Sequence, residues 1–221
     1  MRLVDLGRGA PTAARRWLTP TELAYADQGT PAVRDRRVLL RAAVRSVLGE
    51  SLGLDPAAVR LLPPPGRPGP IGLSPDGTWL DVSCSASAGL GVVAVAHGAR
   101  VGVDVERVRP GTLEEAVAEG WLADPEVVAV AHLPAAARPA ALTRCWTQKE
   151  AVLKAVGTGL RADPRTVVTR IGHSCGTIGR WSVTSVDVAD GWAASVALGP
   201  PPPPVPVPRR RELMPRRRGS A

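Results

Sequence analysis

The sequence predicts an α+β fold of two pseudo-symmetric halves, each a helix packed on a small, mostly antiparallel sheet, with the active site at the seam. Two observations support this prediction. An amphipathic helix followed by strand-like runs occupies the first half, and the same order recurs in the second. We divide the 221 residues into an N-terminal half (1–106), a C-terminal half (107–199) and a tail (200–221). Ligand sites commonly form at such seams.

The first half is led by a helix predicted over residues 31–52, where apolar residues recur at helical spacing and a proline suits the first turn. A Pro- and Gly-rich connection follows at 63–70, and then strands are predicted at 79–83, 91–96 and 101–106. The four residues 97–100 have the length of a hairpin connection. The other face of the helix carries arginines that we expect to be mostly solvated: Arg34, Arg36, Arg37, Arg41 and Arg45.

The second half is predicted to repeat this plan. Helices are predicted at 113–122, 125–132 and 140–156, the last closed by Gly157 in a left-handed cap. Strands are predicted at 166–169, 181–188 and 192–198, with Asp190-Gly191 as a hairpin signal between the last two. The polyproline and arginine-rich segment after residue 199 is predicted to be disordered.

The net charge of +8 is unevenly distributed, since the tail contributes +5 and residues 1–200 only +3. A body this mildly basic does not indicate a dedicated nucleic-acid binder, but it suits an anionic ligand or an acidic protein partner. For the arginine runs of the tail, a solvated segment is favoured over nucleic-acid or membrane binding, which stays open.

The number of cysteines and the length of the apolar segments indicate the cellular compartment in which we expect the protein. Three scattered cysteines are too few for a disulfide framework or a zinc site. No segment approaches the roughly 20 apolar residues that a membrane span requires. We therefore expect a cytoplasmic protein in a reducing compartment.

Two acidic residues alternate with valines in the strand predicted at 101–106. Asp104 and Glu106 should therefore point to one face of that strand. Such a pair fits Mg²⁺, which takes one or two carboxylates and fills its other sites with water and phosphate oxygens. Ordinary surface acids on an edge strand are the alternative, and this stretch alone does not decide between them.

The only two lysines of the chain, Lys149 and Lys154, lie in one predicted helix. Glu150 precedes Lys154 by one helical turn, which is also the arrangement of an ordinary surface pair. With the two strand acids and the glycines Gly157 and Gly159, where a backbone can approach phosphate, the set indicates a magnesium-diphosphate site.

These residues resemble the 4'-phosphopantetheinyl transferases of the larger, Sfp-type class. Residues 102–106, Gly-Val-Asp-Val-Glu, look like the family's G-[VI]-D-[VI]-E motif. Residues 146–160 look like its W-[ST]-x-K-E-[AS]-x-x-K-x-x-G-x-G-L motif. Weaker matches extend over most of residues 15–200, including Gly-Arg-Pro at 66–68 for G-K-P and Val-Ser-Cys-Ser at 82–85 for [IV]-S-H-S.

The resemblance implies transfer of the phosphopantetheine arm of coenzyme A to a carrier-protein serine, releasing adenosine 3',5'-bisphosphate. It implies that Asp104, Glu106 and Glu150 hold Mg²⁺ and that Lys154 contacts the diphosphate. Glu150, Lys154 and Asp104 would be the catalytic residues, with Glu150 the candidate general base, directly or through a bound water. The N-terminal half would form the nucleotide side, where the implied coenzyme contacts are Arg36, Arg67, Ser83 and Cys84, together with Lys154.

Cys84 departs from the family pattern, because it stands where the family has a phosphate-binding histidine and a thiol is at best a weak donor. This departure motivates the alternative of a degenerate relative that binds coenzyme A or a carrier without turnover. The expected partner is an acidic acyl or peptidyl carrier domain, since a basic rim would attract it. Neither membrane nor nucleic acid is an expected partner, and the two-half plan suggests a monomer.

Overall fold

The computed structural model describes residues 1–61, 72–73 and 79–200. These residues form an α+β fold, which confirms the predicted class. The helices are α1 (Pro11–Ala14), α2 (Pro20–Ala26), α3 (Pro31–Leu52), α4 (Leu113–Ala118), α5 (Asp124–Ala131) and α6 (Arg138–Val156). The strands are β1 (Arg2–Asp5), β2 (Gly72–Leu73), β3 (Trp79–Ser87), β4 (Leu90–His97), β5 (Arg100–Arg107), β6 (Cys175–Ile178), β7 (Trp181–Val186) and β8 (Trp192–Gly199).

Within the described residues, the strands form two four-stranded antiparallel sheets of the same internal order. The first sheet runs β1-β4-β3-β2 and the second runs β5-β8-β7-β6. In each, an opening strand is followed by helices and then by three consecutive strands, the last of which pairs with the opening strand. The two halves are therefore pseudo-symmetric, as predicted.

The predicted hairpin between β4 and β5 is wrong. β5 pairs along its whole length with β8, from Arg100 opposite Gly199 to Arg107 opposite Trp192, and β4 pairs with β3 and β1. β5 is the counterpart of β1, a four-residue strand that the sequence analysis missed because three of its four residues are exposed. If the two halves are defined by their sheets, the boundary between them lies at residues 98–99. The division after residue 106 stays a proposal.

The other differences from prediction are local. No strand forms at 166–169, where a 3₁₀ turn (Pro164–Thr166) leads into an irregular segment. β6 was not predicted because it is short and mostly exposed, and it contains a glycine. The predicted connection at 63–70 and the predicted disordered tail lie outside the described residues, except that Pro200 is described. The hairpin through Asp190 and Gly191 is confirmed, since β7 pairs with β8.

Both long helices are confirmed, and their ends have visible causes. The hydroxyl of Thr30 accepts a hydrogen bond from the Val33 amide at the start of α3, and Gly53 ends the helix with a φ of 65°. Gly157 ends α6 with a φ of 88°, as predicted. Across the described part of the chain, no helix has both the length and the apolar character needed to cross a bilayer.

Arg45 is buried, and the other four arginines of this helix face are half-buried, which corrects the expectation that these side chains are mostly solvated. Nη2 of Arg45 lies 2.8 Å from Oε2 of Glu22, and its Nη1 donates to the carbonyl oxygen of Val59 at 2.8 Å. Glu22 itself belongs to a capping box at the start of α2. The guanidinium therefore ties α2 and the segment after α3 to the middle of α3.

The second half repeats this ion pair. Nζ of Lys149 on α6 lies 2.7 Å from Oε2 of Glu126 on α5 and donates to the carbonyl oxygen of Val167 at 2.6 Å. In both halves the positively charged residue of the pair follows the glutamate by 23 residues in the sequence. The carbonyl acceptor ends an Asp-Pro-x-x-Val sequence in both, at 55–59 and 163–167. The pseudo-symmetry thus extends to individual buried contacts.

The two sheets meet at an edge of β5 that no strand covers in the described structure. Its backbone N–H groups donate instead to side chains on β3: Val101 to Oδ2 of Asp81 at 3.0 Å, and Val103 to Oγ of Ser83 at 3.1 Å. Since buried N–H groups need acceptors, this polar face of β3 sets the register between the halves.

Gly102 lets β5 lie directly against α6. A Cβ at this position would be only 1.9 Å from the carbonyl oxygen of Ala151, a contact that no real Cβ atom makes. The motif glycine is therefore required by the close approach of two backbones, and this approach brings α6 next to the acidic residues of β5.

We expect Gly102→Ala to destabilise the fold by about 3 kcal/mol or more, because the added methyl group must push β5 away from α6. Urea unfolding measures the loss. Gly176→Ala in β6 is the matched control, since a Cβ there meets nothing within 4 Å. Equal free energies of unfolding for the two variants would contradict this account of the helix–strand contact.

Candidate active site

The two strand acids lie on one face of β5, as the alternation predicted, and this is the face that Gly102 presents to α6. Asp104 is buried and Glu106 is half-buried, while Val103 and Val105 are fully buried on the opposite face. Oγ of Ser85 donates to Oδ1 of Asp104 at 2.7 Å. The carboxylates are thus held by hydrogen bonds at the seam, which argues against ordinary surface acids.

Lys154 and Glu150 reach the same place from α6. Nζ of Lys154 lies 2.6 Å from Oδ1 of Asp104 and donates to Oγ of Ser85 at 2.9 Å. Burial raises the pKa of Glu150, and the charges of Asp104 and Glu106 raise it further while Lys154 lowers it. The structure therefore brings together all four residues predicted from the two motifs.

The four residues, which we call the acidic cluster (Asp104, Glu106, Glu150 and Lys154), carry three carboxyl groups and a single ammonium. Burial raises the pKa of Glu106, and a hydrogen bond from Ser87 opposes that shift. Within the described residues, Oδ2 of Asp104 and Oε1 of Glu150 are buried without a hydrogen-bond partner. Such excess buried negative charge is suited to binding a cation.

The chemistry of the acidic cluster fits Mg²⁺, although its geometry is not that of a ready-made metal site. Carboxylate oxygens are the protein ligands that Mg²⁺ prefers, and two of them have no other partner. Among the described residues, however, no three acidic, histidine or cysteine side chains are grouped closely enough to define a metal centre. Mg²⁺ binding is therefore a proposal for this chain.

The structure separates the two lysines that the sequence analysis had associated with one site. Lys149 is fully buried in its ion pair with Glu126 and contributes to packing. Glu126 also accepts hydrogen bonds from the backbone and hydroxyl of Thr169, at 2.7 and 2.8 Å. A separation of five residues places Lys149 and Lys154 on different faces of α6, so only Lys154 reaches the acidic cluster.

An arginine-lined cleft of about 290 Å³ adjoins the acidic cluster on the β3 side. Its lining includes two residues predicted to contact the coenzyme, Arg36 and Cys84, together with Arg41 and Ser85. Burial raises the pKa of the Cys84 thiol, although Arg41 and Lys154 lower it, so the thiol is neutral and adds no negative charge to the cleft. We call this the arginine cleft.

Of two other residues predicted to contact the coenzyme, only Ser83 is among the described residues, and it does not line this cleft. Ser83 is buried at the seam, and its hydroxyl accepts the Val103 N–H, which is a structural role. Arg67 lies outside the described residues. The role of both residues toward a coenzyme stays a prediction.

A second cleft of about 390 Å³ opens on the other side of the acidic cluster, with Glu106 in its wall. Trp121 and Trp146 pack edge to face within it, their ring centroids 5.3 Å apart. Arg107 and Arg109 are exposed at its rim. We call this the tryptophan cleft, and the acidic cluster lies between it and the arginine cleft.

The sequence analysis did not identify two serines that contact the acids. Ser85 bonds to Asp104, and Oγ of Ser87 donates to Oε2 of Glu106 at 2.6 Å. A signal was present, because Asp81, Ser83, Ser85 and Ser87 alternate along one strand. The partner of such a polar stripe cannot be read from the strand itself.

Lys154 and the three carboxyl groups lie between two clefts and are suited to a phosphate-bearing ligand with a bound cation, and comparison with known proteins is consistent with this. The family model of the 4'-phosphopantetheinyl transferase superfamily matches residues 100–196. These residues run from β5 into β8 and include Asp104, Glu106, Glu150 and Lys154. The match of this region to the superfamily model confirms the resemblance found in the sequence.

Two curated relatives are similar to a larger part of the chain. The 4'-phosphopantetheinyl transferase HetI of Nostoc sp. (strain PCC 7120) is 32% identical over 145 residues, covering 65% of this chain and 61% of the relative. The provisionally named 4'-phosphopantetheinyl transferase slr0495 of Synechocystis sp. (strain PCC 6803) is 27% identical over 139 residues, covering 62% and 56%. The matches thus span less than two thirds of either relative.

We expect Lys149→Met to cost about 3–5 kcal/mol of stability, because it leaves the buried carboxylate of Glu126 without its ion pair. Urea unfolding measures the cost. The double variant Lys149→Met/Glu126→Gln should recover part of it, since the charge that needs a partner is removed as well. A loss below about 1 kcal/mol in the single variant would contradict a structural role.

Glu150→Gln should make the free protein more stable at neutral pH. The folded pKa of Glu150 is raised, so ionising this group disfavours the folded state. The gain should shrink as the pH falls through the folded pKa, and it should vanish below the ordinary value of 4.5, where the carboxyl is protonated in both states.

Thermal unfolding of wild type and Glu150→Gln across this pH range tests the sign. Asp163→Asn is the control of opposite sign, because hydrogen bonds from Arg165 lower the pKa of this exposed carboxyl. That variant should gain no stability at any pH. A Glu150→Gln variant less stable than wild type at neutral pH would show that its ionised form stabilises the fold.

Proposed function

We propose that this protein is a 4'-phosphopantetheinyl transferase, which transfers the phosphopantetheine arm of coenzyme A to a serine of an apo carrier protein. Adenosine 3',5'-bisphosphate would be the second product. The observation that carries the proposal is the ion pair of Lys154 with Asp104 beside Glu106 and Glu150. This cluster lies in the region that matches the transferase superfamily.

The arginine cleft supports a polyanionic nucleotide as substrate. Arg36, Arg37 and Arg41 line this cleft, and guanidinium groups suit phosphate oxygens. Ser85 belongs both to the cleft wall and to the hydrogen bonds of Lys154. A coenzyme with its nucleotide in the cleft would therefore bring its diphosphate to the Lys154 ammonium.

Asp104, Glu106 and Glu150 would hold Mg²⁺, which when bound would neutralise charge on the diphosphate during transfer. The residues of the chain supply the remaining requirements. Lys154 would orient a diphosphate oxygen, and the buried position of Asp104 and Glu150 would keep water from the reacting atoms.

In the proposed reaction, the serine oxygen bonds to the β-phosphorus of coenzyme A while the bond from that phosphorus to the bridging diphosphate oxygen breaks. The bridging oxygen leaves with adenosine 3',5'-bisphosphate. The hydroxyl proton passes to a base, and Glu150 is our candidate because its raised pKa makes its carboxylate a better proton acceptor than an ordinary glutamate.

The tryptophan cleft gives the acceptor a route to the acidic cluster. Glu106 lines this cleft, and Arg107 and Arg109 are exposed at its rim. Positive charge there would favour an acidic carrier domain as the partner. Both clefts are built from one chain, which favours a monomer, and the three free cysteines suit a reducing, cytoplasmic compartment.

We expect an apo acyl or peptidyl carrier protein, incubated with this protein, coenzyme A and Mg²⁺, to gain the mass of one phosphopantetheine group. Intact-protein mass spectrometry measures the gain. Chelation by EDTA should abolish it, and Glu150→Ala should slow it about a hundredfold or more, because a cation ligand and candidate base is lost.

Glu50→Ala is the matched control for this assay. Glu50 is an exposed glutamate paired with Arg2, away from both clefts, so its loss should leave the rate close to wild type. If no carrier type gains mass while the protein is folded and binds coenzyme A, the chain is a binding protein without turnover. If transfer persists in EDTA, the metal requirement is refuted but the transferase activity is not.

A further inference from the structure

The polar stripe along β3 has two kinds of contact with β5. Its first two members, Asp81 and Ser83, accept backbone N–H groups of the uncovered edge. Its last two members, Ser85 and Ser87, donate hydroxyl protons to the carboxylates of the acidic cluster, and the Ser87 hydroxyl also accepts the Arg107 N–H at 3.4 Å. The stripe therefore holds the two sheets together and also holds the acids.

The direction of the Ser85 hydrogen bonds is determined by its neighbours. The Lys154 ammonium can only donate, so Oγ of Ser85 accepts from it at 2.9 Å. The single hydroxyl proton is then free for Oδ1 of Asp104, at 2.7 Å. The other carboxylate oxygen, Oδ2, is left buried and without a hydrogen-bond partner in the described structure.

Ser87, two residues further along β3, makes the same kind of hydrogen bond to Glu106. Its side chain is buried, and its hydroxyl donates to Oε2 of Glu106 at 2.6 Å. A glutamate side chain on a strand can rotate about three bonds, so a short hydrogen bond to one oxygen restricts where the other can point. Residues that hold a ligating carboxylate in this way typically affect metal affinity.

We propose that Ser85 and Ser87 are positioning residues, which orient the carboxylates of Asp104 and Glu106 so that their second oxygens can bind a divalent cation. The inference rests on the proposed function, because it takes the acidic cluster as the cation site. It assigns these serines no direct contact with substrate.

A structural role alone would predict something different. If the hydroxyls only fill the seam, their removal should lower stability without changing how tightly the folded protein binds a cation. The two roles are distinguished by cation affinity measured on folded protein, and by whether threonine, which keeps the hydroxyl, restores what alanine removes.

The experiment is a titration of the full chain with Mn²⁺ in the absence of coenzyme and carrier, with free Mn²⁺ followed by electron paramagnetic resonance. We expect Ser87→Ala to weaken Mn²⁺ binding about ten- to hundredfold. Ser87→Thr should stay within about threefold of wild type. Ser85→Ala and Ser85→Thr form a second pair at a less buried position, in case threonine does not fit at 87.

Ser195→Ala is the matched control. Ser195 is a buried serine opposite Asp104 in the β5–β8 ladder, but its hydroxyl bonds to Thr147 and not to a carboxylate. Thr147 keeps a second partner, the carbonyl oxygen of Arg144, so little is disrupted. The Mn²⁺ affinity of this variant should be unchanged.

The inference is overturned if both alanine variants, folded by circular dichroism, bind Mn²⁺ as wild type does. It is also overturned if alanine and threonine weaken binding equally at both positions, or if wild type binds no Mn²⁺. The proposed function fails separately, when carrier proteins gain no mass in the transfer assay. If the serine variants bind Mn²⁺ more weakly but no carrier protein gains mass, the positioning role is supported and the proposed transfer reaction is rejected.

Discussion

The uncovered edge of β5 is the constraint on which the rest of the structure depends. Its buried N–H groups must find acceptors, and β3 supplies them from side chains rather than from its backbone. This arrangement joins two sheets without pairing their strands. It also places the alternating polar residues of β3 opposite the alternating acids of β5, so the contact that holds the halves together also builds the acidic cluster.

The close approach of α6 completes the cluster. Gly102 allows the helix backbone to lie against β5, and this contact brings Glu150 and Lys154 toward Asp104. Three carboxyl groups are thereby taken out of water with only one ammonium to offset them, which is why the pKa values of Glu106 and Glu150 are raised. An arrangement that is unfavourable in the free protein becomes favourable once positive charge binds, as expected of a site built for a cation and a phosphate-bearing ligand.

The two halves share a scaffold but use it differently. Each anchors its long helix with a buried ion pair, Arg45 with Glu22 and Lys149 with Glu126, and each pair also binds the carbonyl groups of the following turn. The parts of the long helices that reach the clefts have diverged. α3 lines one cleft with arginines, whereas α6 carries Glu150 and Lys154. Repetition thus preserved the contacts that stabilise each half, while the chemistry differs where the halves face each other.

The sequence by itself determined the features that depend on near neighbours along the chain. Helical periodicity and glycine caps located α3 and α6, and strand alternation placed Asp104 and Glu106 on one face. Tertiary structure decided everything that depends on distant partners. It assigned β5 to the second sheet, buried Arg45, separated Lys149 from Lys154 and directed Ser85 and Ser87 onto the acids. The physical reason is that a local pattern specifies which face a side chain occupies, whereas its burial, charge partner and hydrogen bonds come from residues far away in sequence that only folding brings near.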